Sequence, residues 1–440
     1  MGQEVGERPM MTLLLYAGLI MLSLLLTVQS AHVLYLMLYT WDQPDAEAKA
    51  RAPETFMPPE LSFSVLLPAR HEEDVIQTTV DRVVRSDYPA ELLEVFVICS
   101  ADDTGTIGKA EDKIAELERE GLHNVEVVVF DDKPINKPHG LNAALPHTSH
   151  DVVTIFDAED DIHPAIFDLV NTVMIQDEVN VVQSGVQLMN YQSTWFSALN
   201  VLEYFFWFKS RLHYHALEGC IPLGGNTVFF KRDLLVRLGG WDEHNLTEDA
   251  DLGLRVSAAG ERVRVVYDDR YVTKEETPPT LGHFIRQRTR WSQGFMQTLS
   301  KGTWKQMPTR KQRWLAFYVL AFPHGQALLG LYLLVSLGMM LFLKVPVLVA
   351  LVSWLPVLML VAHFVTQTVG LYEFTDAHGL QATPKAVLRM AVAWYPYQLI
   401  LAYAALRAMR RQMTGRTNWE KTQHVGAHRA ESSKANSDVA

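Results

Sequence analysis

The stretch Val152-Val153-Thr154-Ile155-Phe156-Asp157-Ala158-Glu159-Asp160-Asp161 decides the fold. β-Branched and apolar residues run unbroken and then stop at a cluster of four carboxylates. Such a run predicts a buried parallel strand with the acids at its carboxyl end. Open α/β sheets take their ligands at that end. Asp157 and Glu159 stand two positions apart, so an extended turn can aim both at one point. The pair suits a hard divalent cation that keeps several waters and holds a diphosphate. A solvated acidic turn would carry the same letters, so the neighbouring segments must decide.

Upstream, strand and helix alternate. Residues 61–68 predict a strand that stops at Ala69-Arg70-His71-Glu72-Glu73, and 75–85 an amphipathic helix. A second strand, 92–99, ends in Ser100-Ala101-Asp102-Asp103. A charged helix at 110–120 is stopped by Gly121, and 125–130 is a third strand. Asn136-Lys137-Pro138-His139-Gly140-Leu141-Asn142 opens the helix that leads into the acid-tipped strand. This βαβα order implies a largely parallel sheet with right-handed crossovers. Polar groups at strand ends near 70, 102 and 157 mark a nucleotide-type site along one sheet edge.

Downstream, 198–217 reads as an aromatic-rich helix. Its run Tyr204-Phe205-Phe206-Trp207-Phe208 is expected to pack in the core or beside a membrane rather than to form a sugar groove. Gly224-Gly225-Asn226-Thr227 makes a tight polar turn before a strand at 228–230. Thr247 is placed as the N-cap of a helix whose first turn holds Glu248, Asp249 and Asp251. Residues 263–267 form another strand. On a helix at 281–298, Gln287, Arg290 and Trp291 lie at i, i+3 and i+4 and share one face. His213, His215 and His283 lack metal-ligand spacing and are assigned structural roles.

At 440 residues the chain exceeds one ordinary domain, and its net charge of −11 argues against nucleic acid as the main partner. Cys99 and Cys220, without metal spacing, are expected to be free buried thiols in a reducing compartment. Residues 10–40 hold no Asp, Glu, Lys or Arg, and crossing a bilayer takes about 20 apolar residues, so 1–40 reads as a retained transmembrane anchor. Residues 41–60, with four prolines, read as an irregular linker. The basic, Trp-bearing segment 301–313 looks like a cytoplasmic membrane-surface element. Apolar stretches near 315–343, 345–372 and 386–406 follow, and then a basic tail whose polar end is expected to be disordered. Both basic segments favour the cytoplasm, which requires an even number of crossings between them, yet the apolar stretches number three. Either the part around Pro323 or around Pro396 is re-entrant or interfacial, or 313–374 hides three shorter spans.

These motifs form an ordered set: Pro68-Ala69-Arg70 with Glu72, Asp102-Asp103, Lys137 with Gly140-Leu141-Asn142, Asp157-Ala158-Glu159, Thr247-Glu248-Asp249, and Gln287-x-x-Arg290-Trp291. From about residue 61 to the tail, the chain resembles the membrane-embedded family 2 glycosyltransferases, the inverting GT-A-fold group that includes cellulose, chitin and hyaluronan synthases. The Asp-Ala-Glu-Asp variant and the tail Trp419-Glu420-Lys421-Thr422-x-His424 look like a bacterial subgroup of polysaccharide synthases. No cyclic-dinucleotide-binding domain is evident after residue 411.

The resemblance implies an α/β GT-A domain with a mostly parallel, Rossmann-like sheet over 61–280. Interfacial helices over 281–313, a C-terminal transmembrane region over 314–411 and a basic tail over 412–440 complete it. It implies Asp249 as catalytic base, and Asp157 with Glu159 as ligands of Mg²⁺ or Mn²⁺, Asp160 being an open alternative to Glu159. Around the donor it implies Pro68, Ala69, Arg70, Glu72, Asp102, Lys137, Asp157, Gln287 and Arg290, and at the acceptor Trp291, Gly225 and Asn226. The implied activity is elongation of a β-linked polysaccharide from a UDP-sugar at the cytoplasmic face of the cell membrane, in a multi-pass protein that also translocates the product. The alternatives are single addition to a lipid-linked acceptor, or a non-catalytic membrane scaffold. The implied partners are the nucleotide sugar, a glycan or lipid-linked acceptor, membrane lipids and accessory export or regulatory subunits.

Overall fold

The computed structural model describes residues 4–420. From the amino end, α1 (Glu4–Asp42) and a short α2 (Pro44–Ala50) precede β1 (Phe63–Pro68), α3 (Ile76–Val84), β2 (Leu93–Ser100), α4 (Thr104–Arg119), β3 (Val125–Phe130), α5 (Lys137–Ala144) and β4 (Val152–Ile155). Next come α6 (Ile166–Gln176), β5 (Val181–Ser184), β6 (Val186–Leu188), α7 (Ser197–Phe206), a π-helical turn (Trp207–Arg211) and α8 (Leu212–Leu217). Then follow β7 (Val228–Lys231), α9 (Arg232–Arg237), α10 (Glu248–Ala258), β8 (Val263–Val266) and β9 (Thr273–Glu275).

Seven strands form one sheet in the order β3-β2-β1-β4-β7-β5-β8. The first four are parallel, with Phe63 opposite Val152 and Leu66 opposite Ile155. β7 enters antiparallel between β4 and β5, and β8 runs parallel to β5. Successive side chains of a strand point to opposite faces. Val153 and Ile155 therefore join Leu66, Phe96 and Ile98 in one core, while Val152 joins Phe63, Val65 and Phe229 in the other. Burial on both faces is why β4 shows no polar alternation in sequence. The first of these cores continues through Phe205 into helices beyond residue 280, so the catalytic and membrane-side halves share packing.

Those helices are α11 (Leu281–Lys301), α12 (Arg310–Phe342), α13 (Val347–Ser353), α14 (Leu355–Ala377) and α15 (Pro384–Met413). Among the described residues, three helical segments are long and apolar enough to cross a membrane: Met10–Asp42, Arg310–Phe342 and Val347–Ala377. The third apolar stretch of the sequence, at 386–406, falls within α15, which is not one of the three. Near its start, Arg389 donates to the carbonyl of Gln192 (3.2 Å), and near its end Arg411 Nε donates to Gln293 of α11 (2.9 Å). Between them, the Tyr397 and Phe284 rings pack at 5.4 Å. Contact with the catalytic domain and α11 at both ends lays α15 along α11. Pro323 and Pro396 both sit inside continuous helices, and 313–374 holds two apolar helical segments, Arg310–Phe342 and Val347–Ala377, rather than three.

Other boundaries also differ from the sequence reading. α4 starts six residues before 110, because Asp103 caps it by accepting from Thr106 N (3.3 Å) and Gly105 and Gly108 had masked its first turns. The linker at 41–60 holds α2 and is pinned to the domain by Tyr267 N to Ala50 O (2.8 Å) and Met57 N to Thr172 Oγ1 (2.8 Å). The helix at 198–217 is broken by the π turn. Cys99 and Cys220 are free and buried. The tail from 421 onward, with the end of the Trp419–His424 motif, lies outside the described residues.

Two glycines test this packing in opposite directions. On α10, a Cβ at Gly253 would meet Ile221 O and Leu223 N at 2.5 Å, both backbone atoms. Gly253→Ala is expected to cost about 1–3 kcal/mol. A Cβ at Gly108, inside α4, meets nothing within 4 Å, so Gly108→Ala should gain roughly 0.5–1 kcal/mol. Thermal denaturation of both variants checks the signs, and a stabilised Gly253→Ala would contradict the packing of α10.

Candidate active site

A cavity of about 520 Å³ opens where the carboxyl ends of β1 and β4 meet the start of α10 and one face of α11. The turn after β4 is built by its own acids. Asp160 lies fully buried and accepts from the amide of Asp157 (2.9 Å) and from Asn226 Nδ2 (3.0 and 3.2 Å). Asp157 and Glu159 line the cavity, and Asp160 does not. Burial, then Glu275, Asp157 and Glu159, push the Asp160 carboxyl well above its ordinary value. Of the two alternatives left open by sequence, Glu159 is thus the one that faces the cavity.

Lys137, the first residue of α5, reaches into this acid cluster. Its Nζ lies 2.5 Å from Asp157 Oδ1 and 3.0 Å from the carbonyl oxygen of Gly225. Burial alone would depress the ammonium, but Asp157, Glu248 and Asp249 outweigh it and hold the pKa above the ordinary lysine value. A Cβ at Gly225 would come within 3.1 Å of Asp249 Oδ2 and 3.9 Å of Lys137 Nζ. Glycine there lets the turn approach both groups.

Thr247 occupies the N-cap position of α10, but its side chain makes no cap bond, which corrects the expected capping role. The residue instead receives α11: a Cβ on Gly294 would meet Thr247 N at 2.6 Å. Tight packing there buries the first turn of α10. Burial, then Asp249, push Glu248 up to about 7. Burial also raises Asp249, against the opposing pull of the Ala250 N–H, Lys137 and Arg290. A carboxylate of raised pKa, ionised beside cations, is a stronger proton acceptor than a free one.

α11 presents Gln287, Arg290 and Trp291 to the cavity, as their spacing predicts. The amide oxygen of Gln287 is buried without a hydrogen-bond partner. Arg290 donates to Leu246 O (3.3 Å), and its guanidinium lies over the ring of Trp419 at 4.4 Å. Arg288 lies over the ring of Trp291 at 4.7 Å and is ion-paired with Glu203. At the mouth, Pro68, Ala69, Arg70 and Glu72 line the wall, as do Gly225 and Asn226 of the turn. Asp102 lies beside these residues, its carboxylate 3.5 Å from the guanidinium of Arg70. Ligand atoms of His71, Glu73 and Asp103 also come within 4.8 Å of one another. Asp103, however, is occupied as a cap, accepting from the amides of His71 (2.6 Å) and Thr106.

As expected, Phe205, Phe206 and Phe208 are core residues, with Tyr204 and Trp207 packed against them. Tyr204, Trp207 and Phe208 also border the cavity, together with Glu203 and Arg211. The positions 203, 204, 207, 208 and 211 are one helical face, a signal the sequence did hold. Glu275 and Trp419 also line the cavity.

A parallel sheet with acids at its strand ends, facing an arginine-bearing helix, is built to handle an anionic leaving group. Residues 58–294 match the family model described as glycosyltransferase like family 2. The chain belongs to glycosyltransferase family 2. It is similar to the poly-β-1,6-N-acetyl-D-glucosamine synthase of Staphylococcus epidermidis, 24% identical over 279 residues, which cover 62% of this chain and 63% of that one. It is also similar to the β-monoglucosyldiacylglycerol synthase of Nostoc sp. strain PCC 7120, 27% identical over 237 residues, 53% of this chain and 49% of that one. The matches thus span about half to under two thirds of these relatives. A mannosyltransferase from Pyrobaculum calidifontis, solved with GDP-Man and Mn²⁺, shares the fold with a TM-score of 0.54 and 20% identity, covering 90% of this chain and 99% of that one.

The buried acids carry a pH signature. Glu248 holds its proton from its ordinary 4.5 up to about 7 in the folded chain. The folded state then binds more protons than the unfolded one in that window, so stability falls as pH rises through it. Glu248→Gln should flatten this slope. Melting temperatures of parent and variant at about pH 5 and about pH 8 check it; parallel pH profiles would contradict the assignment.

Proposed function

We propose that the chain transfers a sugar, with inversion at the anomeric carbon, from a nucleoside-diphosphate sugar to an acceptor at the membrane surface. One observation carries this reading: a single cavity joins Asp157 and Glu159, the acid start of α10, Arg290 and Trp291 of α11, and Phe322, Pro323 and Gln326 of α12. Donor chemistry and a membrane helix share one space.

Asp249 takes the proton of the acceptor hydroxyl as that oxygen bonds to the anomeric carbon and the diphosphate departs. Lys137 and Arg290 supply positive charge where the leaving group develops negative charge. Asp157 and Glu159 offer hard oxygen donors on the cavity wall, and with Lys137 as their neighbouring cation they still leave negative charge in excess. That donor set fits Mg²⁺ or Mn²⁺, which when bound would neutralise diphosphate oxygens. Pro68, Ala69, Arg70 and Glu72 flank the nucleoside end, supporting UDP or a related nucleotide, and Gln287 has a free amide oxygen for a donor hydroxyl. Trp291, Gly225 and Asn226 remain the acceptor-side residues, joined by Tyr204 and Trp207.

Two acceptors fit. A growing β-linked glycan, elongated in repeated turns and passed between the helices, suits the aromatic wall of Tyr204, Trp207, Phe208 and Trp291. A lipid-linked acceptor suits the α12 side of the cavity, where Arg211 lies over the rings of Trp207 and Phe322 and has no ion pair among the described residues. For the membrane, we infer crossings by α1, α12 and α13–α14, with α15 in the interface. The two crossings between 301–313 and the basic tail then leave both segments and the catalytic domain in the cytoplasm. Export or regulatory subunits would dock on this assembly.

Asp249→Asn separates catalysis from architecture, since an amide cannot accept the proton. Transfer should fall by ~10²–10⁴-fold, with UDP affinity and melting temperature nearly unchanged. Incorporation within a few-fold of the parent would remove Asp249 as base. Transfer should also vanish in excess chelator and in Asp157→Ala, and full activity without divalent cations would refute the metal assignment. Incubation with a panel of UDP- and GDP-sugars, with products sized and digested by linkage-specific hydrolases, distinguishes polymer from single addition.

A further inference from the structure

Arg288 falls at a position that the Gln287-x-x-Arg290-Trp291 pattern leaves open, yet it borders the same cavity. It shares a face of α11 with Phe284 and Trp291, which stand at i−4 and i+3 from it. Its guanidinium carbon lies 4.9 Å from the Phe284 ring and 4.7 Å from the Trp291 ring. Three acceptors from two other helices fix the plane of the fork. Glu203 of α7 is its ion-pair partner, Asn200 Oδ1 one turn earlier accepts from Nη2 (2.5 Å), and the Tyr397 hydroxyl of α15 accepts at 3.4 Å. Tyr397 is fully buried, so that side of the guanidinium is enclosed. The Nε, by contrast, is buried without a hydrogen-bond partner. A guanidinium placed only to staple α7 to α11 would use that donor too, because a buried unpaired N–H costs free energy. Here the donor is given up and the flat cation lies against the rings.

The cation braces the indole that α11 turns to the cavity. Trp291 is half-buried, and Tyr204 stands beside it with ring centroids 6.3 Å apart and planes tilted by 41°. An indole turns about two side-chain torsions, and its surroundings decide which way its face points. A sugar that stacks by its C–H face needs that orientation held before it arrives, since ordering the ring on binding would weaken affinity. We propose that Arg288 is a positioning residue: held by Glu203, Asn200 and Tyr397, it fixes the plane of Trp291 as a preformed plate for an acceptor glycan. The proposal rests on the reading of Trp291 as an acceptor-side residue, and it makes α7 and α15 the elements that keep that side in place.

Fluorine magnetic resonance of the full chain in detergent micelles, labelled with 5-fluorotryptophan, tests the brace without a substrate. The chain has ten tryptophans, and Trp291→Phe identifies the resonance of Trp291. In Arg288→Gln that resonance should shift and broaden. In Arg288→Lys, which keeps the charge opposite Glu203 and loses the flat fork, it should do so in part. Arg288→Gln leaves Glu203 unpaired, so Glu203→Gln combined with Arg288→Gln is the companion variant that removes both charges. Titration with cellotetraose and chitotetraose should show that at least one binds the parent, and about three- to tenfold more weakly both variants without Arg288, while UDP affinity stays within about twofold. A Trp291 resonance unchanged in those variants would overturn the proposal, because a mere staple leaves the ring alone. A shifted resonance with unchanged oligosaccharide affinity, or a parent that binds neither oligosaccharide, would remove the acceptor reading of Trp291 and the proposal with it. If UDP failed to bind the parent, the donor reading would fall, while the indole resonance would still judge the brace.

Discussion

The ion pair between Lys137 and Asp157 holds the site together. Three elements distant in sequence meet at the ammonium: the start of α5, the turn after β4, and the turn at Gly225 whose carbonyl accepts from it. Glu248 and Asp249 lie near enough to raise its pKa as well. Unlike charges about 4 Å apart attract by roughly 4 kcal/mol at the effective dielectric of such sites. Without this cation, the carboxylates at the end of β4 and at the start of α10 would repel across the cavity. With it, negative charge still exceeds positive, and burial with the neighbouring acids raises the Glu248 and Asp160 carboxyls above their ordinary values. The excess is available to a divalent cation. The electrostatics that hold the turn in place thereby also prepare it for a diphosphate.

A second constraint is the close seating of α11 on α10. Gly294 lies against Thr247, and Arg290 on the same helix is close enough to oppose the rise of the Asp249 carboxyl. α15 in turn lies along α11, joined by Arg411 to Gln293, and Arg411 pairs with Glu420, which holds the following segment so that Trp419 covers Arg290. Catalytic geometry and membrane-side helices are therefore one packed unit, consistent with the core that runs from Ile155 to Tyr397.

Much of this was legible in the sequence where burial is simple. β1 to β4 are hidden on both faces, so their unbroken apolar runs and the polar residues after them located the sheet and its ligand edge. The i, i+3, i+4 spacing on α11 located Gln287, Arg290 and Trp291 for the same reason. What was missed depends on long-range contacts. β5, β6 and β9 are three or four residues long and take their identity from their neighbours. Asp160 and Glu159 are indistinguishable as letters, and the inward bonds of Asp160 to Asn226 separate them. Tyr204, Trp207 and Phe208 pack in or against the core as the aromatic run suggested, and what the run could not show is that the cavity lies on their side of the helix. α15 carries enough small and basic residues to sit against α11, which an apolar count could not reveal.

The central claim is an inverting transfer carried out in this cavity. The anomeric configuration of the product tests it most directly. Nuclear magnetic resonance of the glycan formed from an α-configured nucleotide sugar should show β-anomeric linkages, with one nucleoside diphosphate released for each sugar incorporated. An α-linked product, or nucleotide release that yields free sugar and no glycoside in the presence of acceptor, would contradict the account.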